Sequence, residues 1–266
     1  MPDPLELTFW GVRGSIPTPV AENLRFGGNT ACIEIRLPGH PAVIFDAGSG
    51  IRSLGNTLPE RTPVHLFLTH FHWDHIQGIP FFAPLYRPDC ETAIYSSADP
   101  AELQRILAAQ MQPPYYPIAM PAANYRENDP TGTRIGELLI RPFPLHHPNG
   151  ATGYRIEAPG SIIVYASDHE HGDPETDGTL REQAHNADIL IYDAQYTPAE
   201  YEQRRGWGHS TWLEAARVAR DAGVGRLILF HHDPQRTDAQ LDAIVRDAQS
   251  EFQNTSAARE GSNERA

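Results

Sequence analysis

Apolar residues along this chain fall mostly in short runs bounded by glycine, proline or acidic residues. Such runs, at 5–12, 30–37, 42–46, 64–68, 92–96, 136–141, 152–157, 161–166, 188–192 and 226–230, predict strands. Helices are marked by their starts. Asp99 followed by Pro100 opens one that runs to about Met111, with Leu103, Ile106 and Leu107 at helical spacing and therefore in the core. Thr197, Thr211 and Thr237 each stand three residues before Glu200, Glu214 and Gln240, the spacing of a capping box. The second of these helices ends at Gly223. Strands alternating with helices predict one layered α/β domain over 1–252. The polar stretch 253–266 has no apolar periodicity and reads as a disordered tail. The segment 112–121 fits neither pattern. Its prolines and tyrosines are too stiff for a helix and too apolar for a solvated loop, so it reads as a wall over a site or as a structural loop.

The strand over 64–68 runs directly into Thr69-His70-Phe71-His72-Trp73-Asp74-His75. Three imidazoles and a carboxylate within six residues suit zinc or another first-row metal better than magnesium or calcium. They also exceed what one structural ion needs, which makes two metals plausible. Other strands deliver polar residues at their C-terminal ends too: Asp46, His146-His147, Asp168-His169-Glu170-His171, Asp193 and His231-His232-Asp233. Asp46, followed by small residues, reads as a group that orients the His-rich turn rather than as a ligand. His65 reads as a satisfied core residue, His40 and His185 as surface residues, and His169 and His171 as neighbours of the site.

Charge and composition add boundaries. The chain has 266 residues, 40% of them hydrophobic, enough for one large core. A formal charge of −13 argues against a long nucleic acid, which needs basic residues to displace its counterions. Cys32 and Cys90 make no disulfide framework. The opening Met1-Pro2-Asp3-Pro4 has no leader-like character and no run is long enough to span a bilayer, so a cytoplasmic location without membrane contact is expected.

His-x-His-x-Asp-His after a buried strand, with His147, Asp168 and His231 following in order, resembles the metallo-β-lactamase superfamily, and the likeness extends to about residue 250. That resemblance implies a four-layer αββα sandwich with the metal site at one edge between two sheets. It implies a first metal on His70, His72 and His147, a second on Asp74, His75 and His231, and Asp168 bridging them. Zinc is the first choice, with manganese or iron as alternatives. Chemistry agrees with the bridge, since a carboxylate has two oxygens to offer and a neutral imidazole one lone pair. His147 is preferred to His146 and His231 to His232; His232 and Asp233 are expected as partners of the metal-bound imidazoles.

Tyr192-Asp193-Ala194-Gln195-Tyr196 and Gly208-His209-Ser210-Thr211 resemble paired motifs of the ribonuclease Z-like phosphodiesterases, and Gly11-Val12-Arg13-Gly14-Ser15 resembles the small bacterial phosphodiesterases. This implies a water bridging two metals that attacks phosphorus. His209 would protonate the leaving group, Asp193 would orient His209, and Asp74 would act as both ligand and catalytic group. A small anionic phosphodiester or a cyclic nucleotide is the expected substrate, and a homodimer is common in that branch. Two other readings stand beside it: a carboxyl-ester, lactone or β-lactam hydrolase on the same metals, and a metal-bearing binding protein without activity.

Overall fold

The computed structural model describes residues 5–266. Residues 1–4, whose composition bore on the question of a leader, lie outside the described residues. One sheet contains β1 (Glu6–Gly11), β2 (Cys32–Arg36), β3 (Ala42–Phe45), β4 (Val64–Phe67), β5 (Thr92–Ser96) and β6 (Asn124–Glu127). The other contains β7 (Thr133–Ile135), β8 (Leu138–Leu145), β9 (Ala151–Ala158), β10 (Ser161–Ala166), β11 (Ile189–Asp193), β12 (Arg226–Phe230) and β13 (Thr255–Ala257). A last strand, β14 (Asn263–Arg265), returns to the first sheet, so among the described residues each sheet has seven strands, ordered β14-β1-β2-β3-β4-β5-β6 and β13-β12-β11-β10-β9-β8-β7.

Three separate apolar clusters explain the layering. Leu7, Phe9, Ile33 and Phe45 of the first sheet meet Ile156, Tyr165, Ile191 and Phe230 of the second in the middle. The outer face of the first sheet, including Ile44, Leu66 and Ile94, packs on α1 (Ile51–Thr57) and α2 (Pro100–Ala109). The outer face of the second, including Val164, Leu190 and Leu229, packs on α3 (Pro174–Ala184), α4 (Trp212–Asp221) and α5 (Asp238–Glu251). Strands β3, β5 and β11 are therefore buried on both faces, which is why they read as unbroken apolar runs instead of alternating ones. The result is an αββα sandwich. Among the described residues, no helix is long and apolar enough to cross a membrane.

Two local expectations fail. The stretch 253–266 is not a disordered tail: β13 pairs with β12 and β14 with β1, at opposite sheets. Edge pairing needs backbone hydrogen bonds rather than apolar periodicity, so composition missed it. At Thr211 only half a capping box forms. Its hydroxyl accepts from the Glu214 amide, but the Glu214 carboxylate turns to Arg217 and Arg181 instead. Thr197 and Thr237 form complete boxes.

Strands β3 to β6 run parallel to one another, as do β10 to β13. β8 joins the second set through its antiparallel neighbour β9. Their C-terminal ends thus share one edge of the sandwich, where α/β sheets place ligand sites.

Candidate metal centre

Each sequence-predicted donor reaches this edge from a different strand end: Thr69–His75 after β4, His147 after β8, Asp168 after β10, His231 after β12. The folded chain brings them into two adjoining groups. His70, His72 and His147 form one; Asp74, His75, Asp168 and His231 form the other. All are buried except His72, which is half-buried.

The imidazole tautomers follow from what lies behind each ring. His75 Nδ1 faces the Asp46 carboxylate at 2.8 Å, His231 Nδ1 the Gln195 Oε1 at 2.9 Å, and His147 Nδ1 the Gly208 carbonyl at 2.8 Å. His70 Nδ1 faces the Thr69 hydroxyl at 2.9 Å, and that hydroxyl donates to Asp46. Every partner is an acceptor, so each Nδ1 carries a proton, and in the neutral ring Nε2 is the free lone pair. These lone pairs converge. The Nε2 atoms of His75 and His231 stand 3.3 Å apart, and His70 Nε2 is buried without any hydrogen-bond partner. Asp168 divides its oxygens between the groups. Oδ1 lies 3.1 Å from His75 Nε2 and 3.3 Å from His231 Nε2, whereas Oδ2 lies 3.6 Å from His70 and 3.7 Å from His147. Asp74 Oδ2 lies 3.2 Å from His231 Nε2 and accepts from the Ser15 amide at 2.6 Å. Lone pairs and carboxylates packed this closely repel one another unless cations sit between them. The donor set fits two divalent ions. Burial also pushes the His70, His72 and His147 imidazoles down, keeping them neutral and able to ligate.

Other positions are sorted by the same geometry. Asp46 takes the Thr69 amide and hydroxyl, His75 and the Tyr165 hydroxyl, and so orients the turn, as its sequence suggested. His146 contacts the Glu170 carbonyl and His169 contacts Asp177, both facing away from the cluster. His65 is half-buried against the Tyr95 hydroxyl at 3.0 Å. His232 and Asp233 do not support the ligands: His232 Nε2 donates to the Ala258 carbonyl, and the Asp233 side chain accepts from the Gln235 amide. The His231 partner is Gln195, which sequence reading quoted inside a motif but gave no role. Glu170 was missed too. Its carboxylate accepts from the amides of Gly206 at 2.6 Å and Gly208 at 2.7 Å, and from the Tyr201 hydroxyl. Neither role has a local sequence signal, because both partners lie far along the chain.

Beside the cluster, His209 Nδ1 meets Asp193 Oδ2 at 2.8 Å. Its ring stacks on His231 at 4.8 Å and faces His147 at 5.3 Å. Burial lowers this imidazole's pKa, but Asp193, followed by Asp168 and Asp74, outweighs it and pushes the group up to about 9.

An αββα sandwich with a buried His/Asp cluster across the strand ends of both sheets is the architecture of a metal-dependent hydrolase. The family model described as the beta-lactamase superfamily domain matches residues 42–232, and the chain belongs to that superfamily. Ribonuclease Z of Thermoplasma acidophilum is 26% identical over 295 residues, covering 94% of this chain and 93% of the relative. The metallo-beta-lactamase fold protein YhfI from Bacillus subtilis shares the fold with a TM-score of 0.78 at 21% identity, covering 99% of this chain and 100% of that one. Human tRNase Z, short form, shares it with a TM-score of 0.69 at 20% identity, covering 97% and 98%. These likenesses bear out the αββα expectation and imply divalent metal ions. They overturn one expectation, that a charge of −13 argues against a long nucleic acid: a protein named ribonuclease matches 94% of this chain. Net charge sums the whole surface and does not describe the potential in one cleft.

Proposed function

We propose that this hydrolase cleaves phosphodiesters, with His70, His72 and His147 holding one cation, Asp74, His75 and His231 a second, and Asp168 bridging. Zinc is the ion that a donor set of five imidazoles and two carboxylates over two sites suits best. When bound, the ions supply Lewis acidity and a water acidic enough to act at neutral pH. The chain supplies the rest. The observation that carries the reading is the His209–Asp193 contact of 2.8 Å beside the donor cluster. An alkoxide leaving a phosphodiester needs a proton. His209 commits Nδ1 to Asp193, which leaves Nε2 to carry the proton that is given up. Asp193 keeps the ring charged before transfer and oriented throughout, and its other oxygen is fixed by the Gln195 amide at 3.0 Å. Hydrolysis of a carboxyl ester or β-lactam does not call for this pair.

The proposed substrate is a small diester, a cyclic nucleotide included. In support, the segment 110–123 contains no arginine or lysine with which to grip a polyanion.

Metal-reconstituted protein and its His209→Ala variant are to be compared on bis-p-nitrophenyl phosphate and on a diester with an alkyl leaving group. Turnover of both by the wild type is expected. The variant should lose on the order of 10²–10⁴-fold in kcat with the alkyl group and far less with p-nitrophenolate, which needs no proton. No turnover with two metals bound would sink the reading and direct the search to lactones and thioesters. Faster cleavage of a 3′-extended tRNA than of any small diester would sink the size of the proposed substrate alone.

A further inference from the structure

The segment 112–121 has found no role in the chemistry so far, and it stands beside the donors. His70, Phe71 and His72 line a small pocket of ≈ 180 Å³ at the metal centre. Phe71 also lines a second pocket of ≈ 410 Å³, whose other walls include Trp73, Ile76, Ile106, Gln110 and Tyr115. Phe71 thus stands between the two spaces. Trp73 lies between His72 and Asp74 in the sequence, yet its ring is 69% exposed, and Tyr115 is 76% exposed. Two large aromatic rings left in water at the mouth of one pocket carry a solvation cost that packing has not removed. The wall holding Tyr115 is fixed. Its neighbour Tyr116 donates to the Pro80 carbonyl at 3.0 Å and packs edge-on against Phe81, and both Tyr115 and Tyr116 amides return to the Gln112 carbonyl. Gln110, on the wall of the same pocket, has a side-chain nitrogen, Nε2, that is shielded from solvent and without a hydrogen-bond partner.

We propose that this pocket is a subsite for a planar heteroaromatic group, the base of a nucleotide diester, carried by the phosphorus that the metal centre holds. The proposal rests on the phosphodiesterase reading and names the kind of ester substituent that site accepts. The lining has no charged side chain, so it suits a neutral group and not a second phosphate. Its volume falls within the range of pockets that enclose small organic ligands. Trp73 and Tyr115 offer ring faces for stacking, which is tolerant of base identity.

The test compares thymidine 5′-(p-nitrophenyl phosphate) with methyl p-nitrophenyl phosphate on the metal-loaded full chain. Both release p-nitrophenolate, so the leaving group cancels. The wild type should favour the nucleoside ester by about tenfold or more in kcat/KM, chiefly through KM. In Trp73→Ala and, separately, Tyr115→Ala this ratio should fall towards one, while Trp73→Phe keeps most of it. Tyr115 lies away from the ligand turn, so its variant stays informative if Trp73→Ala loses metal. A ratio unchanged in Tyr115→Ala overturns the subsite. If the wild type hydrolyses neither ester, the phosphodiesterase reading falls by itself, and the subsite is judged by calorimetric titration with thymidine 5′-monophosphate and with inorganic phosphate. Tighter binding of the nucleotide that Tyr115→Ala abolishes supports it; equal affinities overturn it.

Discussion

Asp46, Asp168 and His231 all carry left-handed backbones, with φ of 61°, 58° and 57°. Each such residue costs roughly 1–2 kcal/mol in a chain of L-amino acids. Each comes just after a parallel strand, where the chain must turn at once to aim a side chain across the gap between the sheets. Local strain at three adjoining positions of one cluster is the pattern of a functional site held by its surroundings. Two glycines show how little room those surroundings leave. A Cβ at Gly14 would lie 2.5 Å from His231 Nδ1 and 2.8 Å from Gln195 Oε1, and one at Gly208 would lie 2.2 Å from His147 Nδ1. Gly14→Ala should therefore displace His231 and weaken the second metal, whereas Gly208→Ala, also at φ 88°, should displace His147 and weaken the first. Metal content after dialysis checks this: about one ion per chain is expected in either variant, against two in the wild type. Full occupancy in both would show that the cluster tolerates movement. At this scale the sequence revealed the donors, because ligand chemistry restricts residue type. It could not reveal the acceptors behind them, since a Gln195 side chain or a Gly208 carbonyl gains its role only from the tertiary approach.

Between strands and helices, the loop 202–211 is the segment on which both halves of the chemistry depend. Gly208 holds His147 through its carbonyl, and the next residue is His209. Glu170 fastens this loop through the Gly206 and Gly208 amides and the Tyr201 hydroxyl. In Glu170→Gln an amide N–H would have to face a backbone N–H, so one of those bonds is lost. A fall in kcat of about tenfold or more is expected, since displacement of a proton donor by 1 Å can cost up to roughly 10²-fold. Faster hydrogen exchange at Gly206 and Gly208 should accompany it. Unchanged exchange would mean that other contacts hold the loop. Element starts were well legible: Asp99 and Thr237 cap their helices as their neighbours suggest. Thr211 deviates because Glu214 finds arginines that only the fold brings near.

For the molecule as a whole, Arg13 shows how the opening strand is tied to the distal part of the chain. Its fully buried guanidinium donates to the carbonyls of Gly27, Asp233 and Arg236. Arg13→Met would leave three carbonyls without that donor, a loss of about 3 kcal/mol or more, or a Tm lower by roughly 6–12 °C for a chain of this size. Thermal unfolding of the metal-loaded variant checks this, and a shift under about 2 °C would mean that water takes over the carbonyls. Removal of metal acts on the same balance. The facing Nε2 atoms of His75 and His231, and Asp168 between them, are favourable only with cations present. A chelator should lower Tm, and added Zn²⁺ should restore it in a concentration-dependent way. An indifferent Tm would count against a preformed centre. The layered architecture was legible from strand ends and helix starts. The closing strands were not, because their pairing partners lie at the sheet edges and leave no periodic trace.

Those closing strands set the order in which the protein can assemble. β14 pairs with β1 in a register that puts Glu6 opposite Arg265, and their side chains meet across 259 positions of chain. β13 meanwhile lies on the other sheet, so residues 258–262 cross from one sheet to the other at the edge. Contacts of such sequence separation form late, after much loop entropy has been lost. Until they form, β1 and β12 present open edges to any other chain that offers a strand. During synthesis nearly the whole polypeptide must emerge before either edge is covered, so the nascent sandwich spends its longest interval with both edges available for intermolecular pairing.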